Sequence, residues 1–213
     1  MNIPVLSLDM KDPLHFIDTY GSFPVVKVGH NLASYGKSIL SALHDRGLEI
    51  ILDLKFIDIP STVERSIKAW DHDAIIGFTV HASAGLDAIR AARNTTSKHI
   101  FVIVKLTSIP GTLEDYMDTI MKLYDIGVDF VLPGKWAIAL RKTLPNASFL
   151  VPGVRMEVEA EDQKDIISLD EIIGVADYIV IGREIYKSSS PKEKLETIRR
   201  ILNVRGEIYG DSY

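Results

Sequence analysis

Short apolar, β-branched runs recur along the chain, each followed by residues whose apolar positions repeat at helical spacing. Runs at 5–8, 25–28, 49–54, 75–80, 100–106, 130–132, 148–151 and 178–181 have strand length. Most are near-continuously apolar rather than alternating, as strands covered on both faces are. Helical patterns fall between them at 13–19, 32–44, 63–70, 85–92, 113–124 and 136–142, and 191–202 closes the chain. Gly47 ends the second of these, Thr62 is placed to cap the third, with Arg65 rather than Glu at the box position, and Pro191 sits in the first turn of the last. About eight strand–helix repeats with no compositional break predict one (β/α)8 barrel domain of the TIM type over residues 1–213. A doubly wound open sheet is the alternative.

Composition narrows the function more than the fold. A 46% hydrophobic content in 213 residues is enough for a barrel core. The formal net charge of −5 argues against a nucleic-acid-binding surface, though a local basic pocket can still hold a phosphate. With no cysteine, disulfides, thiolate metal sites and cysteine nucleophiles are excluded. The first residues lack a basic segment followed by a long apolar run, and no apolar stretch is long enough to cross a bilayer, so the expected location is the cytoplasm, with no membrane partner. The connection 152–168 is long and charged; it follows a strand, which in a barrel puts it on the catalytic face, and a lid at about 153–168 is expected there.

Polar residues stand at the ends of successive predicted strands: Asp9, Lys27, Asp53 and Lys55, His81, Thr107 and Ser108, Arg155, and Gly182 with Arg183. Singly, each has a plain structural use. Asp9 suits a helix cap, Lys27 a snorkelling side chain, His81 a packed rim histidine, and Trp70 and Trp136 core or interface aromatics. The run Asp53-Leu54-Lys55-Phe56-Ile57-Asp58 is harder to dismiss. It ends a buried strand, where unpaired charge is costly, and it places Asp53 and Lys55 on one face. Carboxylates alternating with lysines are a poor cage for Mg²⁺, because the ammonium groups repel it. An ammonium held among carboxylates instead suits a reaction that builds carbanion character on a substrate carbon, as electrostatic stabiliser and proton donor. A carboxylate beside a substrate carboxylate favours loss of CO2. Gly182-Arg183, a close-approach glycine followed by an arginine opening a short helix, marks a phosphate site.

Asp53-Leu54-Lys55-Phe56-Ile57-Asp58-Ile59-Pro60-Ser61-Thr62 resembles the signature of the bacterial-type orotidine 5′-phosphate decarboxylase family. Leu8-Asp9, Lys27-Val28-Gly29, Leu106-Thr107-Ser108, Pro152-Gly153-Val154-Arg155, Asp162-Gln163 and Gly182-Arg183 resemble further family segments, in the same order, over nearly the whole chain. The resemblance implies decarboxylation of orotidine 5′-monophosphate (OMP) to UMP and CO2, with neither cofactor nor metal. It assigns proton donation to Lys55, a place beside the departing carboxylate to Asp53, and completion of the charge array to Lys27 and Asp58. It places Asp9 and Thr62 on the ribose, Thr107 on the nucleotide, Ile59 in the wall, and Arg155, Gln163, Gly182 and Arg183 on the phosphate and its lid. It implies a homodimer in which Asp58 and Thr62 reach the neighbouring subunit's site. The lid residues 156–161 are more acidic than the family's usual versions, so their glutamates are expected to face solvent. Two rivals remain: a Mg-dependent sugar-phosphate decarboxylase or hexulose-phosphate synthase on the same scaffold, and a non-catalytic nucleotide-binding relative.

Overall fold

The computed structural model describes residues 2–106, 108–156 and 166–202. Eight parallel strands close into a barrel: β1 (Ile3–Ser7), β2 (Val25–Val28), β3 (Glu49–Phe56), β4 (Ile75–His81), β5 (His99–Ile103), β6 (Asp129–Val131), β7 (Phe149–Val151) and, after an excursion, β10 (Tyr178–Ile181). The last strand pairs with both β7 and β1, which closes the ring and leaves no edge. The excursion contains β8 (Val154–Arg155) and β9 (Ile167–Ser168), which pair with each other outside the barrel. The expected lid is therefore described only at its two feet; its middle, Gln163 included, lies outside the described residues, as does Thr107.

The helices are α1 (Pro13–Tyr20), α2 (Leu32–Tyr35), α3 (Ser38–His44), α4 (Pro60–Trp70), α5 (Leu86–Thr95), α6 (Leu113–Ile126), α7 (Gly134–Leu140), α8 (Leu169–Ile172), α9 (Arg183–Tyr186) and α10 (Pro191–Ile201). Three local expectations need correcting. The pattern at 32–44 is two helices, broken at Gly36, whose φ of +57° favours glycine. Thr62 is not the cap of α4: Ile59 is, because Pro60 takes the first helical position and leaves Thr62 inside the first turn. Asp9 does not cap α1; Asp12 does, accepting from the His15 N–H at 3.1 Å.

Burial divides the apolar residues into two layers. The larger cluster lies between barrel and helices; the smaller fills the barrel with Val5, Val25, Ile51, Phe101, Leu150, Tyr178 and Val180. Gly77 belongs to that inner layer by subtraction: a Cβ there would sit 2.7 Å from the Phe101 ring. Since strand side chains alternate, two residues further along each strand the inward position lies one layer nearer the carboxyl-terminal mouth. Those positions are Ser7, Lys27, Asp53, Thr79, Ile103, Pro152 and Gly182. The next layer brings Asp9, Gly29, Lys55, His81 and Lys105. The apolar plug thus gives way to charge within two residues on several strands at once.

Candidate active site

A cavity of about 560 Å³ opens at the mouth, walled by Ile103, Leu106, Val131, Leu150, Pro152 and Val180 and carrying Lys27, Asp53, Lys55, Lys105 and Arg183. Among the described residues that line it, four cations stand against one carboxylate, a positive balance although the chain as a whole is acidic. Its volume suits a ligand of nucleotide size.

Asp53 is the hub. Its Oδ2 accepts from Lys27 Nζ at 2.5 Å and its Oδ1 lies 2.9 Å from Lys55 Nζ. The Asp53 and Lys27 side chains are 9% and 13% exposed, whereas Lys55 is 40% exposed, so of the two ammonium groups Lys55 is the one presented to a ligand. Burial pushes the Asp53 carboxyl up, but the two lysines outweigh it and hold the group at about 2, ionised at neutral pH. Gly29 keeps β2 close to this group: a Cβ there would stand 2.9 Å from the Asp53 carbonyl oxygen.

The backbone around Lys55 is unusual. Among the described residues, Lys55 alone combines a side chain with a positive φ, +51°. The β3–β4 register slips there: Leu52 faces Phe78 and Phe56 faces Val80. Three residues of β3 therefore bulge against Thr79. The Thr79 hydroxyl accepts from the Lys55 N–H at 2.9 Å and donates to Asp53 Oδ1 at 3.0 Å.

The other expected residues are distributed unevenly. Arg183 lines the cavity, at the start of a four-residue helix, too short to contribute much dipole; its guanidinium carries the charge there. Gly182 directly precedes it, and a Cβ on Gly182 would come within 3.2 Å of Ser7 Cβ. Arg155 ends β8, at the near foot of the segment expected to form a lid. That foot is anchored by Glu184, which accepts from the Met156 N–H at 2.9 Å and from Lys194 Nζ at 2.8 Å. Asp9 is exposed beyond β1, with Oδ2 accepting from Ser7 Oγ at 2.7 Å. Asp58 is also exposed, Oδ1 accepting from the Ile59 N–H at 2.7 Å, and does not line the cavity of its own chain. Ile57 and Ile59 beside it are 60% and 63% exposed, and Thr62 accepts from Arg65 Nη2 at 3.2 Å. His81 accepts from the Ser83 N–H at 3.1 Å through Nδ1, while its buried Nε2 has no partner among the described residues; burial pushes its pKa down.

Two polar residues of the cavity, Thr79 and Lys105, carry no clear mark in the sequence. Thr79 lies in the middle of an apolar strand, although its inward parity two residues past Gly77 is a usable signal. Lys105 lies beyond the end of β5, donating to the Ile109 carbonyl at 2.8 Å with its ammonium 5.7 Å over the Trp136 ring.

A closed parallel barrel with a positive mouth and an ammonium–carboxylate–ammonium row at its centre defines an enzyme class: a (β/α)8 barrel that takes a small anionic substrate. Comparison with known proteins is more specific. The chain belongs to the Orotidine 5′-phosphate decarboxylase / HUMPS family, whose model matches residues 4–198. It is 62% identical over 198 residues to an orotidine 5′-phosphate decarboxylase of Thermotoga maritima, covering 93% of this chain and 98% of that one. A Streptococcus suis enzyme of the same name is 31% identical over 225 residues, covering 94% and 97%. A crystal structure of the Thermotoga maritima decarboxylase superposes with a TM-score of 0.86 at 58% identity, over 92% of this chain and 98% of that one. The Lactobacillus acidophilus enzyme, at 24% identity and a TM-score of 0.74 over 95% and 100%, shares the fold.

Proposed function

We propose that this protein decarboxylates OMP to UMP and CO2. The observation that carries the reading is the buried Asp53 carboxylate pinned between Lys27 and Lys55, with the more exposed Lys55 facing the cavity. In this reading the substrate carboxylate lies against Asp53, where two like charges meet in a poorly solvated pocket. The bond from the pyrimidine ring to that carboxylate breaks, CO2 leaves, and the electron pair stays on the ring carbon. Lys55 stabilises the developing negative charge and gives its proton to that carbon; solvent returns a proton to the neutral amine. Lys27 keeps Asp53 ionised and in place. Arg183 holds the phosphate dianion, and Arg155 and Gln163 act with it on the closing segment at about 153–168. Remote phosphate binding supports closure and so the rate. Asp9 and Thr107 contact the nucleotide.

The same proposal assigns Asp58, Ile59 and Thr62 to the neighbouring subunit's site in a homodimer. The exposed Ile57–Asp58–Ile59 edge, turned away from its own cavity, supports it: two large apolar side chains at one tip favour a partner surface. Among the described residues no helix is long and apolar enough to cross a membrane; placement in the cytoplasm, and one barrel domain over the whole chain, belong to the proposal. Lys27 favours OMP over a Mg-dependent sugar-phosphate reaction, since its ammonium occupies the Asp53 oxygen that a divalent cation would need.

The test is the loss of orotate-ring absorbance when purified protein is mixed with OMP in EDTA. Turnover is expected, and Lys55→Ala is expected to abolish it while retaining UMP binding. EDTA-sensitive turnover of a sugar phosphate without OMP turnover overturns the reading. A near-normal kcat for Lys55→Ala removes the donor role.

A further inference from the structure

We infer that Thr79 is a positioning residue for the proton donor: one buried hydroxyl fixes both the main chain of Lys55 and the carboxylate against which its ammonium rests. The inference rests on the role proposed above for Lys55. Thr79 is 1% exposed and sits in a strand whose neighbours Phe78 and Val80 are apolar. Packing alone would be satisfied by valine, which has the same shape. The hydroxyl needs another explanation, because a buried polar group is costly unless bonded.

Both of its bonds converge on the site. The bulge in β3 removes the regular ladder partner at Lys55, and Thr79 Oγ1 takes the orphaned N–H at 2.9 Å. That bond holds a lysine in the left-handed region, φ +51°, which a side chain disfavours and which persists only when surroundings enforce it. The hydroxyl proton goes to Asp53 Oδ1 at 3.0 Å, the same oxygen that lies 2.9 Å from Lys55 Nζ. Thr79 therefore sets the start of the Lys55 side chain and its far end together. Lys27 holds the other oxygen, Oδ2, and cannot substitute. Proton delivery to a carbon requires the donor within a fraction of an ångström of its place, and a displacement of about 1 Å costs on the order of 100-fold in rate.

The experiment compares wild type, Thr79→Val and Thr79→Ser for OMP turnover, for UMP affinity and for thermal melting. Thr79→Val is expected to lower kcat by roughly 10- to 100-fold while UMP affinity stays within about twofold. Thr79→Ser, which retains the hydroxyl, is expected to recover most of the rate. A kcat for Thr79→Val within twofold of wild type overturns the inference. So does a rate loss that serine does not recover, or one that UMP affinity follows in parallel, since each indicates general disruption. Thr79→Ala replaces valine should that variant not fold; failure of both to fold makes Thr79 a stability residue and removes the positioning role. Wild type is measured first: its inactivity on OMP would overturn the proposed function, whereas an active wild type with an equally active Thr79→Val overturns this inference alone.

Discussion

Replacing Lys27 by methionine isolates the electrostatics of the site. The substitution keeps an unbranched apolar stem and removes the ammonium from Asp53 Oδ2, leaving Oδ1 with Lys55 and Thr79. Losing one charge-assisted hydrogen bond on a buried carboxylate costs about 2 kcal/mol. A second route gives a similar figure. The gap between the Asp53 value of about 2 and the ordinary 3.8 is a net preference of about 2 kcal/mol for the ionised form, which is what remains after the two lysines have outweighed burial. With Lys27 gone, Lys55 alone opposes burial, so most of that net preference is lost and the carboxyl moves back up. The side chains are 9% and 13% exposed, so solvent screening takes little away. The expected loss is about 2 kcal/mol at pH 7, or a fall in Tm of roughly 4–8 °C for a chain of this size.

The pH dependence has a definite sign. A carboxyl whose folded value lies below its unfolded one contributes its full stability above about pH 5, and loses it progressively as pH falls through 3.8 towards about 2. The difference between wild type and Lys27→Met must therefore be largest near neutrality and close between about pH 5 and pH 2. Urea denaturation of both proteins at pH 7, 5, 4 and 3 in low salt measures it. A difference that is the same at every pH, or no difference at pH 7, would refute the account of Asp53 as a carboxylate held ionised by two lysines.

Arg183→Ala should raise KM for OMP by roughly 30- to 100-fold, the value of a charge-assisted phosphate contact. It should also weaken UMP while leaving uridine binding unchanged; an unaltered KM would place the phosphate elsewhere. Mixing inactive Lys55→Ala with inactive Asp58→Ala protein should restore roughly a quarter of wild-type activity, because random re-pairing gives some dimers with one intact shared site. No recovery after verified subunit exchange would mean that Asp58 serves its own chain or no site at all.

The eight strands were legible in the sequence because burial on both faces writes itself locally, as short β-branched runs between helical patterns. Asp53 and Lys55 were legible for the same reason: charge at the end of such a run conflicts with burial unless it has a use. Lys27 stood out as a lysine inside a valine strand. Boundaries followed residues whose backbone preferences compete. Pro60 moved the start of α4 ahead of Thr62, and Gly36 divided a pattern that reads as one helix. What the sequence alone could not supply was which inward positions meet. Thr79 looks like an ordinary strand residue until the β3 bulge sets it opposite Lys55, 24 positions away, and Lys105 looks like a surface lysine until its loop folds over Trp136. Asp58 lies three residues from Lys55 in the chain, yet the turn after β3 carries it out of the cavity. Periodicity is a local property of a strand, whereas register between strands is fixed by closure of the whole ring, and it is register that brings an ammonium, a carboxylate and a hydroxyl to one point.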